Sequence, residues 1–330
     1  MRYFSNPQRS LALLVATVLL AASAWAQPQA QPQAKTVRML IAFPPGGPVD
    51  FVGRALAEGM AKELGQPVMV ENRAGGNGAV AAEAVIRAPA DGSTIWLTSV
   101  GAVAINPALY DKLPYDPPRD LAPVSLVVNN VEVLVVNSKS SWATGADMVA
   151  AARTPGSKPL TMASSGTGSV PHLAAEQLSD AAKIELVHVP YKGAAPALND
   201  VMAGHVSGFF GDIPGLIGFV RSGQLRPIGI AAAKRHPLLP EVKTFEEMGI
   251  KGMDSDNWYA LFTTRGTPAA EVERLNKAVR AALASESIRS KLTNSGAQPA
   301  ASSPAELAAL LKSDSEKWAR MVRAKNIKPD

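Results

Sequence analysis

VRMLIAFPPGGPVDFVGRALAEGMAKELGQPVMVENRAGGNGAVAAEAVIRAPADGSTIWLTSVG, residues 37–101, is the stretch that decides the fold. Residues 37–43 are mostly apolar and stop at Pro44-Pro45-Gly46-Gly47, which reads as a buried strand running into a tight loop. Pro48 in the first helical position and Asp50 in the third mark a helix start. Phe51, Ala55, Met60 and Leu64 supply its apolar face, and Gly65 ends it. Residues 68–71 predict a second strand, 73–78 a glycine-rich loop, 79–87 a helix closed by the turn Pro89-Ala90-Asp91-Gly92, and 94–99 a third strand. This β-α-β-α-β order argues for a parallel sheet with helices on its faces.

Beyond the proline-rich residues 114–123, two apolar strands are expected at 124–128 and 131–136, and the rhythm then restarts. Strands are expected at 160–163, 184–189, 206–210 and 225–231, with helices at 171–182 and 196–203, the second stopped by Gly204. Two helices close the chain. Thr267-Pro268 caps one carrying Val272, Leu275, Val279 and Leu283. Ser303-Pro304-Ala305-Glu306 is a capping box for one carrying Leu307, Leu310, Leu311, Trp318 and Val322. Their apolar faces must cover a sheet, and the first lobe's is the one expected. The chain then crosses between two α/β lobes twice, near 130–137 and 255–263.

The chain has 330 residues, 47% of them hydrophobic and 18% charged, which excludes disorder. The absence of cysteine excludes disulfide scaffolds, thiolate metal sites and thiol nucleophiles. Arg2 and Arg9, the apolar run 11–20 broken only by Thr17, and Ala24-Trp25-Ala26 have the three regions of a cleaved secretory signal over residues 1–26. The run is too short to span roughly 30 Å of hydrocarbon. A Pro/Gln/Ala linker occupies 27–36. Removing Arg2 and Arg9 takes the 33 basic side chains to 31 against 28 acidic, a net charge of +3 that gives no reason to expect nucleic acid.

Four small-residue loops follow strands, at 44–47, 99–102, 164–169 and 191–194. In open α/β sheets, ligands sit beyond the carboxyl ends of strands. Helix N-termini there offer unpaired N–H groups to anions, glycine allows close approach, and Ser and Thr add donors. Ordinary caps and tight turns are the competing reading of each loop, but turns do not require Ser164-Ser165-Gly166-Thr167-Gly168-Ser169. His172, in the first turn after that loop, is either a ligand or a packed imidazole, and Asp50 either meets a ligand or favours its helix dipole. His188 is expected to pack. Asp212, in Phe210-Gly211-Asp212-Ile213-Pro214, has no evident structural role. There is no phosphate-binding Walker pattern, no G-x-S-x-G elbow and no metal spacing among His172, His188, His205 and His236. Gly76-Asn77-Gly78 with Ala81 is only a truncated dinucleotide fingerprint. No catalytic residue, metal or cofactor is therefore expected.

Motifs along the whole chain carry a family resemblance. Phe43-Pro44-Pro45-Gly46-Gly47 with Asp50 and Arg54, then Leu64-Gly65-Gln66-Pro67 and Glu71-Asn72-Arg73, resemble the Bug family, the substrate-binding proteins of tripartite tricarboxylate transporters. Ala104-Ile105-Asn106-Pro107, Leu113-Pro114-Tyr115-Asp116-Pro117 with Asp120, residues 166–173, His188-Val189-Pro190-Tyr191-Lys192-Gly193, Gly266-Thr267-Pro268 and Arg274-Leu275-Asn276 continue the match in order. Gly92-Ser93-Thr94 has Ser where the family usually has Tyr, and Trp258-Tyr259-Ala260 has Ala where Gly is common. The resemblance implies an α/β, two-lobe type II periplasmic-binding-protein (Venus flytrap) fold with a hinge of two crossing strands. Lobe 1 would comprise 37–130 and 258–330, and lobe 2 131–257.

The resemblance also implies a monomer that closes on a small organic carboxylate, whether a di- or tricarboxylate, an aromatic acid or an amino acid. One carboxylate would be held by Ser165, Gly166, Thr167, Gly168 and Ser169, with His172, and by Lys192, Gly193 and Ala194. Lys192 is either a source of positive potential or a solvated turn residue. Phe43, Gly46, Gly47, Asp50, Ser99, Gly101 and Ala102 would approach the other end from the first lobe, and Asp212 would set specificity. The resemblance implies a periplasmic protein whose partners are transporter membrane subunits or, if it serves as a ligand-sensing receptor, a signalling protein. A secreted α/β hydrolase is the remaining alternative, and it lacks a nucleophile.

Overall fold

The first strand, β1 (Val37–Ile41), alternates its side chains between two cores. Val37, Met39 and Ile41 pack with the helices Pro48–Leu64 and Ala269–Ala284, whereas Leu40 and Ala42 pack with Ala79–Ile86 and Pro304–Ala324. Burial on both faces is why the strand reads as mostly apolar, with only Arg38 exposed. The computed structural model describes residues 36–329, so the expected signal (1–26) and nearly all of the linker lie outside it.

The remaining strands are β2 (Val68–Asn72), β3 (Thr94–Ser99), β4 (Leu121–Asn130), β5 (Glu132–Asn137), β6 (Leu160–Ser164), β7 (Leu186–Pro190), β8 (Gly208–Asp212), β9 (Leu225–Ile230), β10 (Asn257–Thr264) and β11 (Gln298–Pro299). They form two sheets, ordered β11-β4-β10-β3-β1-β2 and β7-β6-β8-β5-β9. In the first, β1 runs parallel to β2 and β3, and β10 lies antiparallel between β3 and β4. In the second, β6 runs parallel to β7 and β8, and β5 antiparallel to β8 and β9. Only Val131 separates β4 from β5, so the chain changes sheets in one residue, and it returns at β10, whose Asn257 pairs with Asn130. The second sheet repeats the two-sided burial: Leu134 and Val136 face one core, Val133 and Val135 the other.

The C-terminal helices cover the first sheet. Leu275, Val279 and Leu283 are buried against its β1 core, and Leu307, Leu311, Trp318 and Val322 against the opposite face. Ser303 and Glu306 form the expected capping box, with Ser303 Oγ accepting from the Glu306 N–H at 3.2 Å. At the other helix Pro268 is the cap residue, one position later than expected, while Thr267 Oγ1 donates back to the Thr264 carbonyl at 2.8 Å.

Several elements differ from the sequence reading. Residues expected as a loop after β3 form a wide π-helical turn, Gly101–Ile105, continued by Asn106–Leu109. Strand β4 begins inside the proline-rich stretch, because Pro123 falls where its pairing with β10 shifts register between Leu261 and Phe262. A proline there removes no ladder bond. The helices Gly145–Ala152, Ile213–Arg221 and Glu286–Ser295 were not expected. The first is announced by Thr144 and Asp147, a capping box closed by Asp instead of Glu.

Candidate functional site

Because β6, β7 and β8 run parallel, their carboxyl ends emerge along one edge of the second sheet and face the loop that follows β1. Four helices begin at the cavity there: Pro48–Leu64, Val170–Ala182, Ala194–Ala203 and Ile213–Arg221. None has a side-chain cap, and each has proline in its first turn. Their remaining N–H groups are left for solvent or a ligand, with the helix dipoles favouring an anion. The hydroxyls of Thr167 and Ser169 are more than nine-tenths buried and have no hydrogen-bond partner. Buried hydroxyls without partners are costly, and here they lie beside unpaired backbone donors.

Glycine is needed at two points of this edge. Gly168 has φ +77°, and a Cβ there would lie 2.5 Å from Leu109 of the first lobe. Gly193 has φ +110°, and its Cβ would lie 3.2 Å from the Pro44 ring. Any larger residue would be strained and would hold the lobes apart.

Of the residues singled out from sequence, Phe43, Gly47, Ser99, Ser165, Ser169, Ala194 and Asp212 line one cavity between the lobes. Gly166, Thr167, Lys192 and Gly193 line its adjoining mouth, together with Phe43 and Ser165. The others stand behind. Asp50 accepts from the Gly46 N–H at 3.0 Å, Arg54 Nε at 2.9 Å and Asn72 Nδ2 at 2.8 Å, and so fixes the loop 43–47 from beneath. Burial opposes its charge, but Arg54, Gly46 and Asn72 hold the carboxyl below the usual carboxylate range. Gly101 and Ala102 are buried in the helical turn, where the Tyr115 hydroxyl donates to the Ala102 carbonyl at 2.5 Å.

His172 lies under the 165–169 loop and off the cavity, as does Gly168. Its Nδ1 accepts from the Gly168 N–H at 3.2 Å, and its ring stacks on His188 with centroids 3.6 Å apart. His188 in turn is hydrogen-bonded to Ser164 at 2.6 Å. Burial, with His188 adding to it, pushes His172 down to about 3, so it supports the loop as a neutral imidazole.

Asp212 has structural partners that its sequence neighbourhood conceals. Strand register sets it opposite Glu132. Asn257 Nδ2 donates to both Asp212 oxygens at 3.1 Å and to Glu132 at 3.3 Å, and the Tyr259 hydroxyl also donates to Asp212. Burial pushes Asp212 up to about 6, and burial with the facing Asp212 carboxylate pushes Glu132 well above the usual range. Glu132, Asn257 and Tyr259 were missed from sequence. Glu132 leaves a trace, an acidic residue opening an apolar strand.

Asn77 was also missed as a site residue. It lies in the left-handed region at φ 46°, which Asn tolerates better than most residues. From there its Nδ2 donates to Asn106 Oδ1 at 3.0 Å and across the cleft to the Gly168 carbonyl at 2.9 Å.

Residues 52–327 match the model of the tripartite tricarboxylate transporter family receptor. The chain is 33% identical over 294 residues to protein BugT of Bordetella pertussis, covering 88% of this chain and 89% of that one. Among solved structures it is similar to R. palustris Rpa4515 with adipate (31% identity, TM-score 0.86, 91% of this chain and 100% of that one). It is also similar to MatC from Rhodopseudomonas palustris with bound malate (32%, 0.81, 87% and 98%). The two-lobe architecture, the order of motifs and the match over residues 52–327 agree, and the chain belongs to the tripartite tricarboxylate transporter family of receptors.

Proposed function

We propose that this receptor captures a small organic carboxylate between its lobes, in the periplasm, and delivers it to the membrane subunits of a tripartite tricarboxylate-type transporter. The observation that carries the reading is the set of uncapped helix starts around one cavity, with the unpartnered hydroxyls of Thr167 and Ser169 at its side. One carboxylate binds the donors of residues 165–169 and 193–195, with Lys192 adding positive potential at the mouth. Phe43, Gly47 and Ser99 close over it as the lobes 37–130 with 258–330 and 131–257 come together about the crossings near Val131 and Asn257. The adipate and malate held by the two similar structures support this class of ligand.

A micromolar dissociation constant corresponds to roughly −8 kcal/mol. Several hydrogen bonds to a charged group, at about 1.5–3 kcal/mol each, supply that after ordering costs. No bond is made or broken.

A thermal-shift screen of the secreted chain tests the reading, with citrate, malate, adipate, glutamate, nicotinate and terephthalate set against their amides. A ligand that binds only the folded state raises Tm. An acid that raises Tm while its full amide does not is the expected result. No shift with any acid, before or after unfolding and refolding to release a copurified ligand, contradicts it.

A further inference from the structure

The two ends of the cavity differ in what they leave unpaired. At the β6 and β7 end the unpaired groups are donors: the Thr167 and Ser169 hydroxyls and the N–H groups at the starts of helices Val170–Ala182 and Ala194–Ala203. At the β8 and β5 end the donors of the two polar residues beside Asp212 are already used. Asn257 Nδ2 is taken by Asp212 and Glu132, and the Tyr259 hydroxyl by Asp212. The groups that Asn257 and Asp212 leave over at the cavity are acceptors. Asn257 lines the cavity, is 95% buried by its 5% exposure, and its Oδ1 has no partner. Asp212 lines it too. The helix that starts at Ile213 favours an anion less than the other three, since the Asp212 carboxylate already sits at its N-terminus.

We propose that the ligand of this receptor carries a hydrogen-bond donor, an ammonium or amide N–H, at the end opposite its captured carboxylate, and that an ionised second carboxylate is disfavoured there. The proposal rests on the carboxylate reading of the β6 and β7 end. Its physical basis is a matching of unsatisfied groups. A donor entering beside Asn257 Oδ1 and Asp212 satisfies a buried acceptor, whereas a second carboxylate would find the Asn257 and Tyr259 donors already taken and would face the Asp212 charge in a low-dielectric site. Glu132, fully buried opposite Asp212, is pushed well above the usual carboxylate range by burial and by that neighbour, so the pair resists carrying two charges. Strand spacing sets the length. At roughly 4.8 Å per strand, Asp212 on β8 lies about 5–10 Å from the loops after β6 and β7, which suits acids of four to six carbons in all or a single benzene ring.

Calorimetric titration of the secreted chain with three forms of each acid at fixed length decides it. Succinate, glutarate, adipate and terephthalate are each compared with the monoamide and with the corresponding ω-amino acid. The expected result is that, at the length that binds best, the monoamide or amino acid binds at least tenfold tighter than the dicarboxylate, and that Asp212→Asn narrows the gap by strengthening the dicarboxylate. Glu132→Gln, which keeps the Asp212 charge, retains the preference and serves as the second variant should Asp212→Asn misfold. A dicarboxylate that binds as tightly as its monoamide or tighter, in a manner abolished by Thr167→Ala with Ser169→Ala, overturns the proposal and leaves carboxylate capture standing. Absence of binding by every form overturns carboxylate capture, and the proposal with it.

Discussion

The two regions of the second sheet's carboxyl edge each rest on a pair of titratable side chains, and the buried His172 and Asp212 are shifted in opposite directions. Beneath the 165–169 loop, His172 stacks on His188 and is pushed down to about 3 by burial and then by His188. On the neighbouring strand, Asp212 faces Glu132 and is pushed up to about 6, with burial the first cause. In both places the fold resists charge beneath the cavity. At the histidine end, fixed dipoles and hydroxyls are left to hold an anion without an imidazolium, as preorganised donors do. At the acid end one residual charge and an unpaired amide oxygen remain. The lesson of the comparison is that polarity along this edge is set by which donors have already been spent, because both ends contain hydroxyl and amide groups.

The sharpest way to break the comparison is to remove the donors at the first end. Thr167→Ala with Ser169→Ala deletes two hydroxyls that have no structural partner. At about 1.5–3 kcal/mol for each hydrogen bond to a charged group, affinity for the carboxylate should fall at least ~100-fold by calorimetry while Tm of the free protein stays nearly unchanged. Gly168→Ala comes next. It forces a Cβ into the left-handed region and towards Leu109. A loss of about 2 kcal/mol is expected, read as a Tm lower by about 4–8 °C.

The acid end is sharpened by pH. Unfolded, Asp212 titrates near 3.8, and folded near 6. A raised carboxyl pKa costs the fold nothing below the unfolded value, and the cost grows as pH climbs through the window between the two. Asp212→Asn should therefore match the parent at pH 4 and exceed its Tm by a few °C at about pH 7, in a differential scanning series. His172 has the opposite sign. Its folded value lies below the unfolded 6.5, so its neutral preference costs stability as pH falls from 6.5 towards 3. The smallest effect is expected at the latch. Asn77→Gly keeps the left-handed backbone but removes the bond to the Gly168 carbonyl. It should cost about 1 kcal/mol and raise the radius of gyration of the unliganded protein in solution scattering.

What was legible in the sequence was local. Proline and glycine fix the loops after β1, β6 and β7 within a few residues, and residues 44–47 and 164–169 could be placed at strand ends without a partner in view. The helix after Asp212 was hidden because Pro214-Gly215 reads equally as a turn and as a first helical turn. The acid pair was hidden for a deeper reason. Glu132, Asp212 and Asn257 are far apart in the chain, and only the register of β5 against β8 and the start of β10 bring them together. Asp50 shows the converse error. Its place in a first helical turn was read correctly, but its oxygens are occupied by Gly46, Arg54 and Asn72 and it does not reach the cavity.

The central claim is that the end bearing Thr167 and Ser169 holds the carboxylate, and a crystal structure with whichever acid raises Tm most tests it directly. The account predicts one carboxylate within about 3 Å of Ser169 Oγ and of backbone N–H groups at the starts of helices Val170–Ala182 and Ala194–Ala203. A carboxylate seated instead against Asp212 and Asn257, or outside the cavity between the lobes, would contradict it.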